Sequence, residues 1–512
     1  MPAKTKRALG NSAIQGVTQL ITWSFSWVLL ILLPRYLGDE GFGRLFLALT
    51  YGMVLGMLLN MGINKYVAKR VGVLNPVDMD DEEAARSREE LEVIVGNVFS
   101  LKLVFCLVAY GLLAAVVMLL PYPALTRQAI LIICIASCIS NLTLTAGSVF
   151  QGLESLLAPN IALVAEKAVA TVGCAALLFM GYDLIPVCFV YVAAAAVNCV
   201  ISLFLLSRRV SFRLGWDVAA VKQILLGGVP FLIWIVCGEI YIRVDVLMLS
   251  FMTGEAVVGW YGAAFRIYAT LLFVPHLLNT VVFPPLARMG ADQNGSAAFS
   301  AATERLMNFL LFAAVPVGAG VVIVGRPLVE LLYGAGPFVN SSPSLQIFGG
   351  CIVLVSINVV LGSVLIAKDK QRKWSYMAVC AAVFNPLMNL WMIPLAQNAW
   401  QNGGIGAAVA TLLTELLMMA GALTLMPAGV FTTRNIVTAA RAGLCAGAMI
   451  AVIMGVGFEN VFLIVPVGAV VYGLLALAVR VLPPPDIYHV LHALGWEGRF
   501  VVLQRLLGIR VK

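Results

Sequence analysis

The sequence predicts an all-α polytopic membrane protein: about 14 transmembrane helices, arranged as two six-helix bundles in parallel repeat plus a C-terminal helix pair. Three observations predict it. Apolar segments of about 20 residues, the length that crosses a bilayer core, recur along the chain. Basic residues concentrate in alternate loops. Two separate sequence anchors repeat at one offset, about 215 residues.

Bulk composition excludes the main alternatives. The chain is 61% hydrophobic and 11% charged over 512 residues, with a mean hydropathy of +0.98. A soluble protein could not hide that much apolar surface. The net charge of +8 does not point to nucleic acid, because the basic residues lie in short loops between apolar runs. All ten cysteines fall in apolar segments, where a thiol behaves as a small hydrophobe. Cys134 and Cys138 are at helical spacing, but no His or carboxylate clusters with them, so neither a metal site nor a cofactor is expected. No Walker A loop, HExxH, GxSxG or kinase set occurs, and a non-enzyme is expected. The basic N-terminus MPAKTKRALG precedes an apolar segment too long for a signal peptide, so it is read as retained.

Taken in order, the spans fall near 12–33, 42–63, 93–120, 128–150, 157–180, 184–206, 222–249, 257–283, 306–325, 345–367, 375–395, 404–426, 435–456 and 460–481. With the N-terminus inside, about 25 Lys and Arg fall on the cytoplasmic side and about four on the other. That imbalance predicts cytoplasmic N- and C-termini. The longest loop, 64–91, mixes Asp78, Asp80, Asp81, Glu82 and Glu83 with Arg86 and Arg88, and reads as a solvated cytoplasmic linker that could be helical in part. Beyond Pro483-Pro484-Pro485, apolar residues alternate with Arg499, Arg505 and Arg510, which suits an amphipathic helix on the cytoplasmic membrane surface.

The repeat joins Gly38-Asp39-Glu40-Gly41-Phe42-Gly43 to Gly254-Glu255-Ala256-Val257-Val258-Gly259, and Gly147-Ser148-Val149 to Gly362-Ser363-Val364. Six helices per unit is an even number, so the two units enter the membrane in the same direction and face one another across a cavity. The expected organisation is a six-helix bundle over 1–215, a second over 216–427, two added spans over 428–482 and a cytoplasmic tail over 483–512. Prolines inside spans, among them Pro230, Pro275, Pro316, Pro386 and Pro394, predict kinked or broken helices.

Charges inside hydrocarbon are functional candidates by default. Lys102, Lys167, Arg243 and Arg266 are the basic residues within spans, and they are the candidate substrate ligands. Glu166, Glu239, Asp245 and Glu415 are the acids within spans, and they are the candidate ion-coupling residues, for H+ or Na+. Glu239 and Arg243, four apart, could instead neutralise each other on one helix face. Adjacent Glu166 and Lys167 point about 100° apart, so one narrow face cannot satisfy both. Arg266 is at midplane depth, with no acid within a helical turn on its own helix.

The stretch LPRYLGDEGFGRLFLALTYGMVLGMLLNMGINKYVAKRVG (33–72) resembles the start of prokaryotic polysaccharide-export flippases. These belong to the multidrug/oligosaccharidyl-lipid/polysaccharide superfamily. FQGLE (150–154), Pro230 followed by YIRVDVLMLSFMTGEAVVGWYGAAFRI (241–267), and FPPLARM (283–289) carry the same resemblance. It implies a cytoplasmic-membrane flippase for isoprenoid-pyrophosphate-linked oligosaccharides, with a cationic cavity and alternating access. It also implies membrane lipids, a polysaccharide polymerase and glycosyltransferases as partners. The rival within the superfamily is an ion-coupled drug/cation antiporter. Members of that branch often carry a carboxylate in the first helix, where this chain has Asn11, Gln15, Gln19 and Ser24. A more distant rival is a membrane glycosyltransferase, suggested by Asp39-Glu40 in the first external loop; a helix cap and tight turn is the more economical reading.

Overall fold

The computed structural model describes residues 3–75, 80–291, 296–427 and 431–482. Among them no strand occurs. The helices are α1 (Ala3–Asn60), α2 (Ile63–Val73), α3 (Asp81–Leu119), α4 (Ala124–Gly152), α5 (Leu157–Phe179), α6 (Leu184–Ser207), α7 (Val218–Met252) and α8 (Glu255–Leu271). They continue as α9 (Phe273–Ala291), α10 (Ser296–Tyr333), α11 (Ser342–Ala367), α12 (Gln371–Trp400), α13 (Gly403–Leu425), α14 (Thr433–Val456) and α15 (Val461–Ala478). A short 3-10 turn, Pro337–Ser341, leads into α11.

The chain is an all-α multi-pass membrane protein. Twelve helices among the described residues are long and apolar enough to cross a membrane. One of these, Ile14–Asn60, covers most of both of the first two expected spans. The helix breaks at Gly38, whose φ of 70° and ψ of 179° only glycine adopts without strain. Before the break, α1 follows α5: the Phe25 carbonyl accepts from the Thr171 hydroxyl at 3.4 Å, and the Tyr36 ring meets Phe179 edge-on at 5.4 Å. After it, the chain follows α4, where Asn141 Nδ2 donates to the Gly56 carbonyl at 3.1 Å. One half of α1 thus lines each arm of the α4–α5 pair, and the chain doubles back at Gly38.

Helix boundaries recur at an offset close to the expected 215 residues. α3 begins at residue 81 and α10 at 296, 215 positions apart. α2 against α9, α4 against α11, α5 against α12 and α6 against α13 fall in the same register to within a few residues.

By compactness, residues 1–262 and 263–512 form two units. The first takes in α7, because α7 packs on α1 and α2 at one end and on the α3–α4 connection at the other. Side chains at Gly227 and Gly228 would collide with the Tyr66 ring and the Met61 carbonyl, and Ser250 hydrogen-bonds Tyr122 at 2.7 Å. Its core is a cluster of Ile63, Val67, Val71, Val95, Val98, Val149, Phe150 and Ile224. In the second unit, Leu306, Leu310, Val360, Val364 and Ala422 form one cluster. The added pair α14–α15 packs on α10 through Val324, Ala442, Met449, Ile464 and Tyr472.

The stretch 64–91 is helical in part: α2 covers it to Val73, and α3 starts at Asp81. Ala84, Ser87 and Leu91, at helical spacing, bury one face of the α3 extension. Of the prolines expected to kink or break a span, Pro316, Pro386 and Pro394 do not break theirs: the backbone stays helical through them. The interruption near Pro275 falls at Leu272, next to Leu271, whose carbonyl the proline nitrogen cannot satisfy. The tail 483–512 and the Glu239 side chain lie outside what is described.

Candidate functional site

The first cluster of functional interest lies in the first unit, at the break in α1 and the start of α8. Arg44 Nε donates to Glu255 Oε2 at 2.5 Å, and the Thr126 hydroxyl at the start of α4 donates to Glu255 Oε1. Trp260 Nε1 donates to Asp39 Oδ2 at 3.0 Å. Residues 39, 43 and 44 correspond to 255, 259 and 260 at an offset of 216. The contact is therefore reciprocal: 44 reaches 255 and 260 reaches 39. The glycines obey the same symmetry. A Cβ on Gly43 would overlap the Glu255 carbonyl, and one on Gly259 would overlap the Asp39 carbonyl. Beneath this clasp sits a buried hydroxyl chain, Tyr51–Tyr122 at 3.1 Å and Tyr122–Ser250 at 2.7 Å. Burial pushes the Tyr122 phenol up, more than those two hydrogen bonds pull it down, so it stays a neutral donor and acceptor.

The charged residues within spans take different positions. Lys102 is fully buried and donates from Nζ to the Leu59 carbonyl at 2.5 Å. Leu59 belongs to the last turn of α1, just before Met61 and Gly62 take positive φ, so the ammonium caps an orphan carbonyl at a helix C-terminus. Lys167 Nζ lies 3.7 Å from Glu166 Oε1, with 36% and 21% of the side chains exposed. The two long side chains converge despite their angular separation on α5. Glu166 Oε2 accepts from Asn198 Nδ2 at 2.5 Å, and Asn198 Oδ1 accepts from the Ser202 hydroxyl at 3.0 Å. Arg243 is half-buried. Asp245 is buried and accepts from the Tyr261 hydroxyl at 2.8 Å.

In the second unit, Arg266 is half-buried on α8, one turn beyond Ala263, whose carbonyl faces the Tyr333 hydroxyl at 3.5 Å. Its neighbours Phe265 and Tyr268 pack on Phe348, the latter stacked at 4.5 Å. Glu415 on α13 is buried. Asn358 on α11 reaches both its Oε2, at 2.6 Å, and its backbone carbonyl, at 3.0 Å. Asn385, Asn389, Thr411 and Thr414 are buried as well. No group of three or more His, Cys, Asp or Glu that could hold a metal occurs among the described residues.

Arg44, Trp260, Asn198, Ser202 and Asn358 were not singled out from sequence. The repeat could have flagged Arg44 and Trp260, which share a register position. Nothing in the sequence marks Asn198, because an asparagine in an apolar helix is usually an ordinary interhelical hydrogen-bond donor.

The model of the polysaccharide biosynthesis protein family matches residues 8–290, more than half of the chain. The chain belongs to that family. The resemblance read from residues 33–72, 150–154, 241–267 and 283–289 holds at this level. A putative O-antigen transporter of Shigella dysenteriae is 25% identical over 278 residues, covering 53% of this chain and 66% of that protein. A probable flippase of Haloferax volcanii is 28% identical over 256 residues, covering 46% of this chain and 50% of its own length. The matched stretch thus spans one half to two thirds of these curated relatives. Among solved structures, the lipid II flippase MurJ in an inward closed conformation superposes with a TM-score of 0.73 at 15% identity, covering 91% of this chain and 98% of that one. An inward-facing multidrug resistance transporter of the MATE family superposes at 0.59 and 11% identity, covering 78% and 93%. At these identities the two structures establish the shared fold.

Proposed function

We propose that this protein flips an isoprenoid-pyrophosphate-linked oligosaccharide across the cytoplasmic membrane by alternating access, in surface polysaccharide biosynthesis. The observation that carries the reading is family membership over residues 8–290, with curated relatives described as an O-antigen transporter and a flippase. Side-chain chemistry supports it. A pyrophosphate that leaves water needs fixed cations, and Arg266, Lys167 and Arg243 sit inside spans with part of their surface open. Lys102 is assigned to the same role from sequence; in this conformation it instead ties α3 to the end of α1. Residues 1–215 and 216–427 are taken as the transport repeats and 428–482 as an appended pair, with both termini cytoplasmic. The proposed partners are membrane lipids, a polymerase and glycosyltransferases. Glu166, Asp245, Glu239 and Glu415 are the candidate acids for coupling to H+ or Na+.

The fold shared with a multidrug transporter favours one second reading, an ion-coupled cation antiporter. The lack of an acid over residues 12–33 counts against it. The glycosyltransferase reading loses its main support, since Asp39 and Glu40 are engaged by Trp260 and Arg44. The deciding experiment is Arg266→Ala at matched membrane abundance. Lipid-linked intermediates should accumulate on the cytoplasmic leaflet. Normal export would overturn the anionic-substrate reading of this helix and return the antiporter to first place.

A further inference from the structure

We propose that Asn198, steered by Ser202, is a positioning residue: it holds the Glu166 carboxylate back from Lys167, so that the lysine can exchange this counterion for the phosphate of a polyprenyl pyrophosphate. The proposal rests on the flippase reading, since it presupposes Lys167 as a substrate ligand.

The geometry is unequal in an informative way. Glu166 Oε2 receives the Asn198 amide at 2.5 Å, whereas Oε1 stands 3.7 Å from Lys167 Nζ. A charge-assisted N–H···O bond normally closes to about 2.7–2.9 Å. The carboxylate is therefore committed to α6 and only loosely engaged with its own neighbour on α5. Burial explains why α6 wins. Asn198 is 6% exposed and Ser202 1% exposed, so no water competes for the amide, and a buried amide must be bonded. Ser202, one turn on, donates to Asn198 Oδ1 at 3.0 Å. That bond fixes which end of the amide faces Glu166, because only the NH2 end can serve a carboxylate. Lys167 keeps 36% of its side chain open. The result is an ammonium that is neutralised enough to lie in a membrane span and held loosely enough to be taken over by a more highly charged anion.

The test is a double-mutant cycle on the full-length purified protein. The probe is tritiated geranylgeranyl pyrophosphate, with geranylgeraniol as the uncharged control. Asn198→Leu frees Glu166 to close on Lys167 and should weaken pyrophosphate binding about tenfold. Ser202→Ala should weaken it in the same direction, about twofold. Glu166→Gln should tighten binding, and in that background neither Asn198→Leu nor Ser202→Ala should have any further effect. A purely structural amide would cost as much in the Glu166→Gln background as in the wild type, and that additivity would overturn the proposal. Unchanged affinity in both single variants would overturn it too. Where the leucine variant fails to accumulate, Ser202→Ala carries the same cycle. Wild-type protein that binds the pyrophosphate no better than the alcohol sinks the anionic-substrate reading itself. Additive effects with pyrophosphate-selective wild type sink only the role of Asn198.

Discussion

The reciprocal clasp between α1 and α8 supports the most direct test of alternating access. Arg44 and Glu255 are 22% and 20% exposed, so their pair is neither a surface contact nor a fully desolvated one. A hydrogen bond to a charged group contributes about 1.5–3 kcal/mol when buried, and an exposed pair about 0.2–1 kcal/mol. With a fifth of each side chain in solvent, we take about 1.4 kcal/mol, a factor of ten in a two-state ratio. If the clasp between α1 and α8 parts during transport, Arg44→Ala should raise the open fraction about tenfold. Trp260→Phe, which removes one hydrogen bond to Asp39, should raise it about fivefold. The reporter is a cysteine at Ser250, beneath the clasp in the tyrosine layer. Its labelling rate by an impermeant maleimide added from outside should rise by these factors. The charge reversal Arg44→Glu with Glu255→Arg should recover at least half of the lost protection. Unchanged labelling in Arg44→Ala would refute the latch, and failure of the reversal alone would show that Thr126 and the glycine contacts carry the closure.

Four further outcomes are expected. Arg266→Lys should retain part of the export that Arg266→Ala loses, because the charge survives without the bidentate fork, and Arg243→Ala should hurt less; accumulated lipid-linked intermediate measures all three. Lys102→Met should lower membrane abundance, because it leaves the Leu59 carbonyl without its buried donor, while export per molecule stays near wild type; loss of export at normal abundance would make Lys102 a substrate ligand after all. Glu415→Gln should abolish any dependence of flipping on an imposed H+ or Na+ gradient while sparing protein level, and retained dependence would move coupling to Glu166, Glu239 or Asp245. Cysteine at Tyr182 should react with an impermeant reagent from outside, and cysteines at Arg209 and Lys370 only after permeabilisation; external reaction at Lys370 would break the N-in topology.

The sequence by itself determined the class, and it proposed the spans and the repeat. Those properties are one-dimensional: a bilayer demands about 20 apolar residues per crossing, charge bias is counted along the chain, and a repeat is a fixed offset. For the same reason the sequence brought Gly38–Gly43 and Gly254–Gly259 into register, and it marked Lys102, Lys167, Arg243 and Arg266 as charges that hydrocarbon would not tolerate alone. What each of those charges touches was decided only by tertiary structure. Lys102 and Lys167 look alike as lysines in apolar helices, yet one caps Leu59 with no exposed surface and the other stays open beside Glu166. Residues 81–91 extend α3 with Ala84, Ser87 and Leu91 buried along one face. Register alone could not show that Arg44 meets Glu255 while Trp260 meets Asp39. A partner in space depends on how helices cross, and crossing is set by close approach at residues such as Gly43 and Gly259, whose missing side chains mean nothing until another backbone lies against them.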